Sequence, residues 1–153
     1  MKESAGLLLW RRIAVGRVEL LLGHMCGPFW AHREEGAWSI PKGLAEPNED
    51  NLLAVAEREF AEEMGTSAPV GESTGLGSVM ANGKRITIYA REGDFDAEAM
   101  VSNTFEIEWP RGSGEVQAFP EIDRAGWMSP ADARRLLAKS QCSFVDRLEE
   151  SIT

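Results

Sequence analysis

Apolar residues in this chain come in short runs broken by turn residues, and their spacing predicts the elements in order. Residues 5–13 and 18–24, with Leu7-Leu8-Leu9 and Leu20-Leu21-Leu22 inside them, read as paired strands, Glu19 standing at an edge or pairing position. Residues 26–35 have no period and read as irregular. Over residues 51–64 the period becomes helical: Leu53, Ala56, Phe60 and Met64 form one apolar stripe, and Gly65 is placed to end it. Residues 70–81 and 84–91 flank Asn82-Gly83, a strong hairpin turn. Residues 96–101 read as a short helix, 104–108 and 125–128 as short strands, and Arg111-Gly112-Ser113-Gly114 as a flexible turn. Ser129 can cap a helix with Pro130 at its first position, running to about residue 139, and residues 144–150 form a last short helix. Strands on both sides of a main helix, then terminal helices, predict a mixed sheet between helical layers.

At 153 residues the chain has the size of one domain, able to bury roughly 68–70% of its extended-chain surface, and it carries no internal repeat. Residues 1–153 are therefore taken as one domain. No run is long enough to span a bilayer, and the apolar stretch after Met1-Lys2-Glu3-Ser4 returns to charge too soon for a signal peptide. Cys26 and Cys142 make no disulfide framework, and two thiols with two histidines make no zinc site. A cytoplasmic location and no membrane partner are the expectations. The net charge of −9 argues against nucleic acid as a partner. A phosphorylated small molecule stays compatible, because a divalent cation and local lysines or arginines can invert the field within a site.

The negative charge is concentrated. Glu59, Glu62 and Glu63 share one face of the main helix, spread over about 6 Å of its axis. Like charges at that spacing repel, a cost that a merely solvated helix has no reason to carry. Hard oxygen donors gathered in this way suit Mg²⁺ or Mn²⁺. Arg58 stands four residues before Glu62 and can orient that carboxylate. Just upstream lies Trp38-Ser39-Ile40-Pro41-Lys42-Gly43. Pro41 restricts the backbone there, Gly43 frees it, and Lys42 sets a cation beside the carboxylates, where it can hold a phosphate as a point charge.

From Gly43 to Gly65 the chain resembles the Nudix box, Gly-x5-Glu-x7-Arg-Glu-U-x-Glu-Glu-x-Gly-U, with U a bulky aliphatic residue. Gly43, Glu49, Arg58, Glu59, Glu62, Glu63 and Gly65 fill its fixed positions. Eight residues rather than seven separate Glu49 from Arg58, so Glu49 or Asp50 takes the first acidic position. An extra residue is absorbed more easily in the loop than in the helix, which favours Asp50. Phe60 replaces the usual smaller aliphatic, and Thr66 stands at the final position. The resemblance to a bacterial branch of small Nudix hydrolases extends through Ala5-Gly6-Leu7-Leu8-Leu9, Gly27-Pro28-Phe29-Trp30, Asn103-Thr104-Phe105-Glu106-Ile107-Glu108-Trp109-Pro110 and Phe119-Pro120-Glu121-Ile122-Asp123-Arg124-Ala125-Gly126-Trp127. It covers nearly the whole chain.

This resemblance implies the α/β class and the Nudix α/β/α sandwich, with a mixed β-sheet between helices. It implies divalent-metal-dependent hydrolysis of a phosphoanhydride bond in a nucleoside diphosphate linked to another group. Glu59 and Glu63 are the implied metal ligands, with a backbone carbonyl at Lys42 or Gly43, and Glu62 is implied as a ligand or water-activating group oriented by Arg58. Mg²⁺ is the implied cofactor, with Mn²⁺ as the alternative. Family members also take a general base from outside the box; Glu121 is the candidate here, weighed against a surface charge. Lys42 and Arg85 are candidates for phosphate contact. Trp30, Trp38, Tyr89 and Trp109 are candidates for stacking on a base, a contact of about 1–3 kcal/mol, although aromatics at such positions more often belong to the core. His24 reads as a strand-end residue and His32 as loop surface or pocket wall. The expected partner is a phosphorylated nucleotide-like small molecule, and the chain is expected as a monomer or homodimer. Dinucleoside polyphosphates such as diadenosine tetraphosphate are the first substrate class, because residues 38–43 and the overall length resemble that subgroup. A MutT-like nucleoside-triphosphate pyrophosphatase and a non-catalytic nucleotide-binding module are the alternatives.

Overall fold

The computed structural model of the protein describes residues 2–153. Two long strands come first, β1 (Lys2–Ala14) and β2 (Arg17–Met25), antiparallel and paired from Trp10↔Leu20 to Ala14↔Arg17. Away from that hairpin they diverge, and the chain returns to fill the gap. There β3 (Trp38–Ser39) pairs with β2 at Gly23 and His24, and β4 (Lys42–Leu44) pairs with β1 at Ser4, Ala5 and Gly6. Between these contacts the Leu7 N–H donates to the Pro41 carbonyl at 3.1 Å.

Next come α1 (Leu52–Met64) and the hairpin of β5 (Ser73–Ala81) and β6 (Lys84–Glu92). β6 lies parallel to β1 from Lys2↔Lys84 to Trp10↔Glu92, which makes the sheet mixed. β7 (Thr104–Glu108) and β8 (Val116–Pro120) form a separate two-stranded flap, and β9 (Ile122–Met128) runs back along β2. The chain ends in α2 (Pro130–Leu136) and α3 (Ser143–Ile152). The main sheet is ordered β3-β2-β1-β6-β5, with β4 on β1 and β9 on β2.

Helices on both faces explain why the central strands are continuously apolar. Leu8, Trp10, Leu20 and Leu22 pack toward Leu136, Phe144, Val145 and Leu148 of the terminal helices. Leu7, Leu9 and Leu21 pack on the other side with Val55, Ala56, Phe60 and Met64 of α1. This is the predicted mixed sheet between helical layers. Phe60 is fully buried, which stabilises the fold by about 1.5–3 kcal/mol.

α1 begins and ends as its sequence directs. The Asn51 side chain accepts from the Ala54 N–H at 3.2 Å, and Gly65 adopts φ +86° while its N–H donates to the Ala61 carbonyl. The stripe differs at one position: Leu52 packs on the α1-side core, and Leu53 lies off it. Residues 52, 56, 59, 60 and 63 follow the helical period through the buried face, and residue 53 is rotated away. At the β5–β6 turn Asn82 and Gly83 both take positive φ, 51° and 74°, as a two-residue hairpin requires.

Other boundaries shift. β5 starts at Ser73, the expected helix at 96–101 is a single 3₁₀ turn (Ala97–Ala99) capped by Asp96, and α2 stops at Leu136 before a second 3₁₀ turn (Lys139–Gln141). β8 escapes the periodicity because Val116, Gln117 and Ala118 are exposed, so no buried face imposes alternation. No helix among the described residues is long and apolar enough to cross a membrane.

Candidate active site

The apolar face that docks α1 also carries Glu59 and Glu63 inward, leaving them 8% and 6% exposed. β4 crosses beside them. A Cβ on Gly43 would stand 2.1 Å from the Glu59 carboxyl carbon, so that carboxylate occupies the space a side chain would fill. Glu63 lies by Lys42, whose charge and backbone favour its ionised form. Burial, helped by the charge of Glu121, outweighs them and pushes the Glu63 carboxyl up to about 9. Burial and then Glu62 also raise Glu59 and Glu121, while burial lowers the Lys42 ammonium against the pull of Glu63. Four carboxyl groups thus act on one another with Lys42 and Arg58 as their nearby cations.

Arg58 organises the outer side of this cluster. Its Nε and Nη2 donate to the two carboxylate oxygens of Glu49 at 2.9 and 2.6 Å, and Nη1 donates to Glu59 and Glu62, each at 3.0 Å. Nη2 also donates to the Leu44 carbonyl at 3.2 Å. Hydrogen bonding to Glu49 is the largest influence holding the guanidinium protonated. The structure therefore corrects the preference for Asp50: Glu49 meets Arg58, and Asp50 is exposed. The physical reason is a turn closed at residues 46–49, where Glu46 and Glu49 exchange N–H donations at 2.8 and 2.9 Å. That turn aims Glu49 at α1 and leaves the extra residue between it and the Asn51 cap.

A pocket of about 330 Å³ opens beside the cluster. Lys42, Glu63 and Glu121 contribute to its wall, together with Trp30, Cys26 and Phe105. Burial raises the Cys26 thiol, so it stands there as a neutral group rather than a nucleophile.

The remaining candidates are dispersed. Trp38 is 3% exposed and packed between the edge of His24 at 5.2 Å and the Arg124 guanidinium at 5.1 Å. It is a core residue, corrected from base stacking, because its ring belongs to the cluster with Leu136, Leu137 and Phe144 and its carbonyl accepts from the Ala138 N–H at 2.8 Å. Tyr89 packs against the α1-side core, and Trp109 sits in the flap against Phe29 at 5.5 Å. Arg85 is ion-paired with Glu3 and borders a different cleft, shared with Glu49 and Asp50; the fold does not bring it to the pocket. His32 is loop surface, whereas His24 is a fully buried strand residue. Sequence reasoning missed Phe105 and Cys26 as pocket wall. Alternation along residues 104–108 gave Phe105 an inward side, but nothing local said what it faced.

Among the described residues, no three His, Cys, Asp or Glu side chains form a ready-made metal cage. The donor set still fits a hard divalent cation. Glu59 and Glu63 are buried carboxylates whose ionisation is opposed by burial and by neighbouring acids, which is the charge deficit such a cation relieves.

An α/β/α sandwich that sets an Arg-Glu-x-x-Glu-Glu helix beside a Lys-Gly strand defines a Nudix-fold domain. The sequence matches the NUDIX domain model over residues 7–148, and the chain belongs to that family. Comparison with curated proteins gives no significant match. Among solved structures, a C. elegans Ap4A hydrolase binary complex is similar over 99% of this chain and 98% of its own, with 21% identity and a TM-score of 0.64. The NUDIX domain of Shewanella oneidensis NrtR complexed with ADP ribose matches 99% of this chain and 88% of its own, at 17% identity and TM-score 0.62. The C-terminal domain of mouse MUTYH, in complex with human PCNA, matches 99% and 89%, at 14% identity and TM-score 0.60.

Proposed function

We propose that this protein is a divalent-metal-dependent Nudix hydrolase that cleaves a phosphoanhydride bond in a nucleoside diphosphate-linked substrate. Dinucleoside polyphosphates such as diadenosine tetraphosphate are the first substrate class. The observation that carries this reading is the convergence of Glu59, Glu63 and Glu121 on Lys42, with Glu62 acting on Glu59 and Glu121, beside a pocket large enough for a small ligand. Similarity to an Ap4A hydrolase and to a domain complexed with ADP ribose supports the ligand chemistry.

Glu59 and Glu63 would hold Mg²⁺ or Mn²⁺, with a backbone carbonyl at Lys42 or Gly43 and with Glu62 as a further carboxylate. Such a cation supplies charge neutralisation at the phosphates and a lowered pKa for water. Lys42 holds a phosphate oxygen, and the substrate's own negative charge counters the burial that lowers this ammonium. Glu121 accepts the proton of the attacking water; burial and then Glu62 raise its carboxyl above the ordinary range against the pull of Lys42, which strengthens it as a base. Arg58 keeps Glu59 and Glu62 from collapsing onto other partners. Trp30 offers the base an aromatic face within the pocket.

The second reading is a binding module, favoured by the similarity to a MUTYH domain found in complex with PCNA. Arg58, Glu59, Glu62 and Glu63 are all present here, which favours hydrolysis. Incubation with Mg²⁺ and matched diadenosine tetraphosphate and nucleoside triphosphates, followed by product analysis, separates the readings. Cleavage within the dinucleotide bridge is expected. Release of monophosphate and pyrophosphate from triphosphates, with the dinucleotide intact, would replace the substrate class. Binding of either without turnover would make the protein a module.

A further inference from the structure

Beside the pocket, the fully buried His24 ring on β2 faces an acceptor at each nitrogen. Nε2 lies 2.6 Å from the Arg33 carbonyl oxygen and Nδ1 lies 2.8 Å from Oδ1 of Asp123. A carbonyl oxygen only accepts, so Nε2 carries the proton of that bond, and Nδ1 faces the Asp123 carboxyl group in the second. The other charged groups around the ring are Glu34, with Oε2 3.6 Å from Nε2, and Arg124, which pairs with Glu34 and approaches Asp123 at 3.9 Å. The Trp38 edge closes the remaining side.

These two bonds join two walls of the pocket. Arg33 belongs to the loop between β2 and β3, which carries Cys26 and Trp30 into the pocket. Asp123 lies on β9 two residues after Glu121, another pocket residue. At its start the loop is tied to the opposite wall by the Cys26 N–H donating to the Glu121 carbonyl at 3.1 Å; beyond Gly27 its backbone bonds are its own turns, with the Arg33 N–H donating to the Trp30 carbonyl at 3.0 Å and the Ala37 N–H to Glu34 at 3.1 Å. The Arg33 guanidinium also sits 5.8 Å over the Trp30 ring. Holding the Arg33 backbone therefore adds to the Gly27 turn in holding Trp30.

We propose that His24 is a positioning residue: by bonding through both ring nitrogens it pins the Trp30 loop to β9 and so sets the spacing of the pocket walls. The proposal rests on reading this pocket as the substrate site. Glu59 and Glu63 stand on α1, Lys42 on β4, and Glu121 just before β9, which its pairing with β2 holds in the sheet; the loop is the side set free, so loss of the clamp falls on substrate affinity before it falls on chemistry.

The test uses two substitutions that each keep one donor. Asparagine places its amide nitrogen near the position of Nδ1, and glutamine near that of Nε2. His24→Asn keeps Asp123 and frees the loop, while His24→Gln keeps the loop bond. One hydrogen bond corresponds to about a tenfold change in an equilibrium. His24→Asn is therefore expected to raise KM about tenfold with kcat within about twofold, and His24→Gln to leave KM within about threefold. Equal KM in the two variants, or loss confined to kcat or to thermal stability, would overturn the proposal.

Two readouts need no turnover. Nitrogen-resolved NMR of the wild-type histidine should show a proton held on Nε2, and a bare Nε2 would overturn the bond to Arg33. Amide exchange over residues 27–36 should be about tenfold faster in His24→Asn than in His24→Gln, and equal exchange would overturn the clamp. Failure of the wild type to hydrolyse any substrate would count against the reading of the pocket and leave these two readouts to decide the clamp.

Discussion

Replacing Glu63 by glutamine keeps the shape of the side chain and removes its ability to ionise. In the folded protein Glu63 is 6% exposed, and burial followed by the charge of Glu121 pushes its carboxyl up to about 9 from an ordinary value of 4.5. The folded state therefore holds a proton that the unfolded chain releases. Stability is fully present below pH 4.5, falls as pH rises above it, and levels off above about 9. At about 1.4 kcal/mol per pH unit, the span from 4.5 to pH 7 makes this penalty about 3 kcal/mol, a ceiling because other groups of the cluster titrate with it. A buried amide retains part of the polar cost, so Glu63→Gln is expected to be about 1–3 kcal/mol more stable at pH 7 with a chelator present. For a domain of this length that raises Tm by about 2–4 °C per kcal/mol. Thermal and urea unfolding from pH 5 to pH 9 measure it, and the advantage should widen as pH rises. Parallel pH profiles, or a variant less stable than wild type at pH 8, would refute the charge deficit at Glu63.

Gly43→Ala forces a methyl group to within 2.1 Å of the Glu59 carboxyl, so it should cost about 1–3 kcal/mol in urea unfolding and most of the activity. Normal turnover by Gly43→Ala would deny that Glu59 is needed where it stands. Glu49→Gln breaks the two-point contact with Arg58 and should lower both turnover and Tm, whereas Asp50→Asn should change stability by less than about 0.5 kcal/mol. The opposite ranking, read by activity and melting, would restore Asp50. Phe60→Ala should cost about 3–5 kcal/mol through a core cavity while the folded fraction keeps its KM, which urea midpoints and kinetics check together.

The parts legible in the sequence were those written by period or by local chemistry. Leu7-Leu8-Leu9, Gly65 and Asn82-Gly83 each specify their own structure, and all three behave as their residue types require, whereas Asn51, read as the start of the helix, caps it instead. The helical period also grouped Glu59, Glu62 and Glu63, although only packing shows that Glu59 and Glu63 turn inward and Glu62 remains partly exposed. What local pattern could not give is contact across the fold. Trp38 looks like a stacking residue until β3 is seen inserted beside β2, and Arg85 looks like a phosphate ligand until Glu3 appears across the parallel pairing of β1 and β6. Glu49 and Asp50 are equivalent by composition, and only the turn at residues 46–49 separates them. The His24–Asp123 pair spans 99 positions of sequence, beyond the reach of any local pattern.

Hydrolysis by Glu63→Gln, compared with wild type on whichever phosphoanhydride the wild type cleaves at saturating Mg²⁺, bears most directly on the central claim. A metal-dependent wild-type rate is expected, with a loss of at least about 10²-fold in the folded variant, equivalent to about 2.7 kcal/mol of transition-state stabilisation. A folded Glu63→Gln protein that turns over at the wild-type rate would contradict it.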